Sequence, residues 1–182
     1  MQSVKLLRSV RLPVLASAIL FLTGPVSAAN LTFVPTSSEL ACNEARPVDV
    51  WIDGATTDLR GFSLVIEFDP NIVDPIAVEA GAALTSGDCP SYESWNNAAA
   101  VGDSVYFDAA GLGCSVDGPG PIARIWFSGV ADGMTELSVR SAILRDSENR
   151  SITVDSEPGG IVVSCPVSAR ARSWTTLKRV WH

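Results

Sequence analysis

Histidine is almost absent from this chain: its 182 residues hold one, and that one, His182, is the last. Imidazole is the commonest protein metal ligand and the usual general base near neutral pH. Its absence from the interior excludes Ser-His and Cys-His nucleophilic catalysis, and with no C-x-x-C pair it argues against a zinc site. Neither a Gly-x-Ser-x-Gly elbow nor a phosphate-cradling glycine loop occurs. Positive charge is also scarce, with 13 Lys and Arg against 20 Asp and Glu and a formal net charge of −7. Nucleic acid calls for a basic face, so a nucleic-acid partner is excluded. Long apolar runs are missing beyond the first 23 residues, and no window sustains a 3.6-residue apolar period.

The little positive charge there is lies mostly at the two ends. Met1 to Ala28 carries Lys5, Arg8 and Arg11 with no acid, then the apolar run Leu12–Thr23, then small residues at Val26-Ser27-Ala28. That order of basic, apolar and small-residue regions predicts a secretory signal peptide over residues 1–28. The apolar run is too short for a membrane span, which needs ~20 residues, so no transmembrane segment is expected after cleavage. Residues 166–182 are basic and hold no acid. In this tail Trp174, Leu177 and Trp181 stand at helical spacing. The end is similar to the Trp-x-x-(Ile/Leu)-Lys termini of some exported bacterial proteins. Between the ends, residues 29–165 carry all 20 acids and only 6 bases, a net charge of −14. The predicted protein is thus one exported acidic domain, secreted or held at the cell surface or in the periplasm. Its four cysteines, Cys42, Cys89, Cys114 and Cys165, all lie in that domain. In an oxidising compartment they predict two disulfides, with three pairings open.

The domain reads as strands. Val48, Val50 and Ile52 alternate with Asp49, Trp51 and Asp53; Phe62, Leu64, Ile66 and Phe68 alternate with Ser63, Val65 and Glu67. Further short runs of this kind occur at 31–35, 76–78, 104–108, 122–127, 137–140, 151–154 and 161–163, bounded by Gly, Pro, Asp and Asn. Nine short strands at turn-punctuated intervals predict an all-β fold, a sandwich in which each sheet buries one alternating face.

Asp58 to Gly81, DLRGFSLVIEFDPNIVDPIAVEAG, resembles the signature of the cohesin domain: Leu59, Gly61-Phe62, Phe68-Asp69-Pro70, Val73 and Gly81 fall at that family's spacing. Gly118–Phe127, GPGPIARIWF, and the segments Asp132–Val139 and Leu144–Val154 are similar to its second half. The resemblance spans about Leu31–Val163. It implies a nine-stranded jelly-roll sandwich, cohesin-like or related to carbohydrate-binding modules, with a binding rather than catalytic role. The implied partner is a dockerin-bearing or other extracellular protein of a polysaccharide-degrading or cell-surface assembly. The family's binding face includes the strand before Asp-Pro, where members carry an outward asparagine and aspartate. Gly61 and Ser63 stand at those positions here, so the side chains that would grip a dockerin are changed. Ser63, Val65 and Glu67, with Tyr106 and Asp108 on a neighbouring strand, are the candidate partner-binding residues. First and last strands lie side by side in the family, which implies Cys42–Cys165 and, with it, Cys89–Cys114.

Other readings are weaker. Trp51, Tyr92 and Trp95 are candidate stacking platforms for a polysaccharide, the alternative ligand. The carboxylate pairs Glu67/Asp69, Asp146/Glu148 and Asp155/Glu157 read as solvated turns in an acidic exported domain, not as an acid-base dyad. The oxygen-rich turns Asp146–Asn149 and Asp117-Gly118 admit a calcium ion, but no D-x-[DN]-x-[DN]-G loop is present. No catalytic residue, cofactor or metal ligand is assigned.

Overall fold

The structure, a computed structural model, describes residues 28–85, 89 and 92–166, with backbone alone for 93–101. All but the last residue of the expected leader and all but the first of the basic tail lie outside the described residues. The chain forms β1 (Ala29–Val34), β2 (Ser37–Ala41), β3 (Ala45–Ile52), β4 (Leu59–Glu67) and β5 (Val73–Ala80), then the single helical turn α1 (Ala82–Thr85). After it come β6 (Tyr92–Val101), β7 (Ser104–Gly111), β8 (Gly120–Gly129), β9 (Gly133–Asp146), β10 (Ser151–Ile152), β11 (Val154–Ser156) and β12 (Gly159–Ser164).

Two sheets form a sandwich. The first has the order β11-β1-β3-β8-β5, the second β2-β12-β9-β4-β7-β6, with β10 paired to β9. Pairing is antiparallel except where β1 meets β11 and β2 meets β12, which run parallel. The alternation read from sequence decides which side chains meet between the layers. Leu31, Phe33, Val50, Ile52, Ile125 and Phe127 come from one sheet; Leu64, Ile66, Phe107, Leu137, Leu144 and Ile161 come from the other, all essentially without solvent contact. Each such side chain removed from water contributes roughly 1.5–3 kcal/mol. Phe68 and Phe127 meet edge to face at 5.9 Å, and Phe62 packs at 5.7 Å from Phe107.

Twelve strand segments among the described residues replace the nine expected, for identifiable reasons. β2, Ser-Ser-Glu-Leu-Ala, buries only Ser38 and Leu40, so one of its inward positions is a serine that a hydrophobic pattern passes over. β6 runs through YESWNNAAAV, a segment whose polar residues read as a loop. The expected strand at 151–154 is interrupted at Thr153: β10 pairs with β9 while β11 pairs with β1 in the other sheet. Gly81 ends β5 where the chain passes β8, and a Cβ there would lie 2.1 Å from the Pro121 carbonyl oxygen, so only glycine fits.

Disulfides join Cys42 to Cys165 and Cys89 to Cys114, the pairing the resemblance implies. Cys42 follows β2 and Cys165 follows β12; Cys89 precedes β6 and Cys114 follows β7. Each bridge therefore ties an edge strand of the second sheet to its inner neighbour.

Candidate functional site

The second sheet presents a broad outer face. Along β4 the inward residues Phe62, Leu64 and Ile66 are buried, so Gly61, Ser63, Val65 and Glu67 face outward and are half-buried. Register sets their neighbours. On β7, Ala110 lies opposite Gly61, Asp108 opposite Ser63, and Tyr106 opposite Val65. On β9, Arg145, Ile143 and Ser141 lie opposite the same three residues of β4. The five candidate partner-binding residues thus share one surface, with Ser63–Asp108 and Val65–Tyr106 as direct cross-strand pairs. Tyr106 is 37% and Ile143 50% exposed, which puts apolar area at the middle of a polar face. Glu67 is held at its end by Arg140 at 3.3 Å.

Small residues make one end of this face concave. Gly61 and Ala110 raise almost no side chain above the sheet, and a cavity of about 460 Å³ opens over them, with Gly111 also in its lining. Arg60, Ser63, Ile143, Arg145, Ser147 and Asn149 are among its walls. Arg60 reaches it because the register slips between Leu59 and Gly61 against β9, leaving Arg60 as the extra residue of a β-bulge. Its guanidinium donates from Nε to the Gly111 carbonyl at 3.4 Å and from Nη1 to the Ser147 carbonyl at 3.1 Å. Arg145 donates from Nη1 to Ser151 Oγ at 2.7 Å and to the Asn149 carbonyl at 3.4 Å.

Asp58 anchors the rim. It sits in the left-handed region (φ 58°), its N–H donates to Asp117 Oδ1 at 2.7 Å, and its Oδ2 accepts from Ser147 Oγ at 2.5 Å. Hydrogen bonds from Ser115 and Ser147 hold the Asp58 carboxyl below its ordinary pKa. Three loops, before β4, after β7 and after β9, are joined by this one carboxylate. The turn considered for calcium is occupied from within. Asp146 accepts from the N–H groups of Glu148 and Arg150 and is paired to the Arg150 guanidinium at 2.7 Å. Burial raises its pKa, but the hydrogen bonds and charge from Arg150 hold it lower overall. Among the described residues no group of three His, Cys, Asp or Glu side chains is arranged to hold a metal ion.

The three candidate stacking aromatics are not brought together. Trp51 is on β3 of the first sheet, while Tyr92 and Trp95 are on β6 of the second. Trp51 is half-buried with its indole nitrogen shielded from solvent, rather than offered as an open platform. The Tyr92 hydroxyl is likewise enclosed, and burial raises its pKa. Trp95 pairs with Asp108 in register. What sequence reasoning missed is the Arg60/Arg145 cavity. Arg145 is brought beside Gly61 by a pairing across 84 positions, and Arg60 is turned outward by a bulge that alternation does not announce.

No family model matches the sequence, and no curated protein does. Solved structures do match in fold. A non-cellulosomal cohesin from the hyperthermophilic archaeon Archaeoglobus fulgidus aligns over 86% of this chain and 100% of its own, with a TM-score of 0.62 and 14% identity. The matched chain of a type I cohesin–dockerin complex from Clostridium thermocellum aligns over 76% and 93%, with a TM-score of 0.63 and 10% identity. A type II cohesin domain from the cellulosome of Acetivibrio cellulolyticus aligns over 75% and 95%, with a TM-score of 0.61 and 15% identity. The chain has the cohesin fold, a β-sandwich with jelly-roll relatives.

Proposed function

We propose that this chain is an exported, non-catalytic docking module of cohesin type that receives a dockerin-bearing or similar extracellular protein on the outer face of β9, β4 and β7. One observation carries the reading: the Ser63–Asp108 and Val65–Tyr106 pairs, flanked by exposed Ile143, form a continuous sheet face with apolar area at its centre and polar groups around it. That composition is what protein interfaces use, an apolar middle within a polar rim. The structural relatives add support, since one is itself solved in a cohesin–dockerin complex. The basic-apolar-small leader and the two disulfides favour export. The division into leader (1–28), sandwich (29–165) and basic tail (166–182) belongs to the same proposal.

The test is retention of the purified protein on immobilised dockerin modules, run beside a polysaccharide array. Retention by at least one dockerin, abolished by Ser63→Arg and unaffected by Trp51→Ala, supports the reading. A polysaccharide hit with every dockerin negative overturns it.

A further inference from the structure

Arginine usage in this domain is uneven in a way that singles out the cavity. Residues 29–165 hold six arginines among 20 acids. Four are paired to carboxylates: Arg46 to Glu44, Arg124 to Asp49, Arg140 to Glu67, and Arg150 to Asp146 and Glu148. Arg60 and Arg145 make no ion pair among the described residues, and both line the cavity over Gly61 and Ala110. Their described hydrogen bonds go to carbonyl and hydroxyl oxygens, which hold the guanidiniums in place without neutralising them. Asp146, the carboxylate in the cavity wall, is already taken by Arg150. Glu93 stands in the same row by register, opposite Ala110, with its backbone two strands from Gly61.

The other end of the face has the opposite character. The hollow there is lined by Glu67, Asp69, Asp103 and Glu136. A guanidinium fork matches a carboxylate in shape as well as charge, and the pairing is strongest where one wall is apolar and water is displaced. Here the cavity supplies that wall through Ala110 and exposed Ile143.

We propose that the Arg60/Arg145 cavity receives an acidic side chain, Asp or Glu next to an aliphatic residue, from the protein that docks on this face. The assignment rests on the docking reading above and specifies its chemistry. The partner's acid enters over Gly61, its aliphatic neighbour packs on Ile143, and the acidic hollow at the far end repels a second carboxylate. Docking polarity is then fixed by charge. A side chain at position 61 would fill the seat, although the backbone does not forbid one: the nearest atoms to a Cβ there are the Ala109 oxygen at 3.4 Å, Ala110 Cβ at 3.6 Å and Ala110 Cα at 3.8 Å.

The probe is the blocked peptide acetyl-Ala-Leu-Glu-Leu-Ala-amide, titrated to its solubility limit into isotope-labelled protein while the arginine Nε–H signals are followed by NMR. Its Gln counterpart and acetyl-Ala-Leu-Ala with a free carboxyl terminus are the comparison arms. The expected result is movement of the Arg60 and Arg145 signals, with Arg124 and Arg140 still, and binding about tenfold weaker for the Gln peptide. Arg60→Gln with Arg145→Gln removes the response, and the Lys pair restores part of it. Equal response to Glu and Gln, equal movement of all arginines, or no movement overturns the proposal. Tighter binding of the free-terminus peptide overturns it in favour of a chain end. Dockerin retention separates the two levels. If a dockerin stays bound to the double Gln variant at full strength, the docking reading stands and the acidic seat falls. If the peptide responds as expected while no dockerin binds, only the docking reading is lost.

Discussion

The two outer faces of the sandwich are built on opposite lines. On the first sheet, Asp49 and Arg124 face each other across β3 and β8 and close a bidentate pair at 2.6 and 2.8 Å. Trp51 and Trp126 stand on the same face, both half-buried with shielded indole nitrogens. On the second sheet the corresponding rows hold Gly61, Ala110, Ser63 and an exposed Ile143, with two arginines that meet no carboxylate among the described residues. The first face pairs its arginine with a carboxylate, although the indole N–H groups of Trp51 and Trp126 have no hydrogen-bond partner; the second leaves Arg60 and Arg145 without a carboxylate among the described residues. The difference extends to the edges. Both disulfides belong to the second sheet, one at β2 and one at β6, so the sheet with the less self-contained face is clamped where its outermost strands begin or end. A docking face must keep its shape before a partner arrives, because ordering on contact subtracts from affinity.

The strongest way to break this contrast is to remove the clamps. In the chain-entropy account a bridge is worth more the longer the loop it closes. Cys42–Cys165 spans 123 positions and Cys89–Cys114 spans 25. Replacing the first pair by serine is expected to lower unfolding free energy by about 5 kcal/mol, and the second by about 3.5 kcal/mol, in denaturant titration. The shorter bridge has the more local role. It sits against Gly111, in the cavity floor, where a Cβ would come 2.3 Å from the Cys114 oxygen. Its loss is therefore expected to weaken docking beyond what the stability change explains. If docking survives untouched, the edge bridge does not shape the face.

Next in size is the energetic asymmetry between faces. Truncating Tyr106 or Ile143 to Ala is expected to cost about 2 kcal/mol of binding, roughly 30-fold in Kd, for any dockerin retained in the panel. Asp49→Ala on the opposite face is expected to leave that Kd unchanged. Calorimetric titration of the three variants decides the matter, and equal effects on both faces would place the partner elsewhere.

Much of this architecture was legible because burial follows alternation. Phe62, Leu64, Ile66 and Phe68, the apolar side of one alternating run, are buried, and the outward Ser63 and Val65 meet Asp108 and Tyr106 as neighbours. The limits are equally physical. Ser38 occupies an inward position in β2 without being apolar, and Asn96 and Asn97 lie within a strand that their polarity disguised. The cavity was out of reach for another reason. It is made by what Gly61 and Ala110 lack, and by a bulge that only the paired register of β4 and β9 exposes.

A smaller effect tests how self-contained the first face is. Arg124 and Asp49 form a partly exposed pair, 44% and 15% accessible at their side chains. A double-mutant cycle of Asp49→Ala and Arg124→Ala is expected to give a coupling of about 1 kcal/mol or less, falling with added salt. A larger, salt-insensitive coupling would mean that this pair organises the sheet rather than merely neutralising its surface.

The smallest expected effect concerns the rim of the open face and is visible only against pH. Hydrogen bonds from Ser115 and Ser147 lower the pKa of Asp58 in the folded protein. A carboxyl lowered on folding contributes stability above its unfolded pKa and loses it as the pH falls through the folded value. Asp58→Asn removes the titrating group while keeping the side chain's size, so the variant and the parent should differ in Tm near neutral pH and converge in acid, as the pH falls below the ordinary carboxylate range and through the lowered folded pKa. The same carboxylate holds Ser147, whose carbonyl receives Arg60. Protonating Asp58 should therefore loosen Arg60 as well, and the Arg60 Nε–H signal should broaden over the pH range in which the Tm difference closes, while that of Arg124 on the other face does not. A Tm difference that stays constant with pH would mean that the charge of Asp58 plays no part in anchoring the rim. A closing difference with an unchanged Arg60 signal would mean that the three-loop anchor holds the fold without holding the seat.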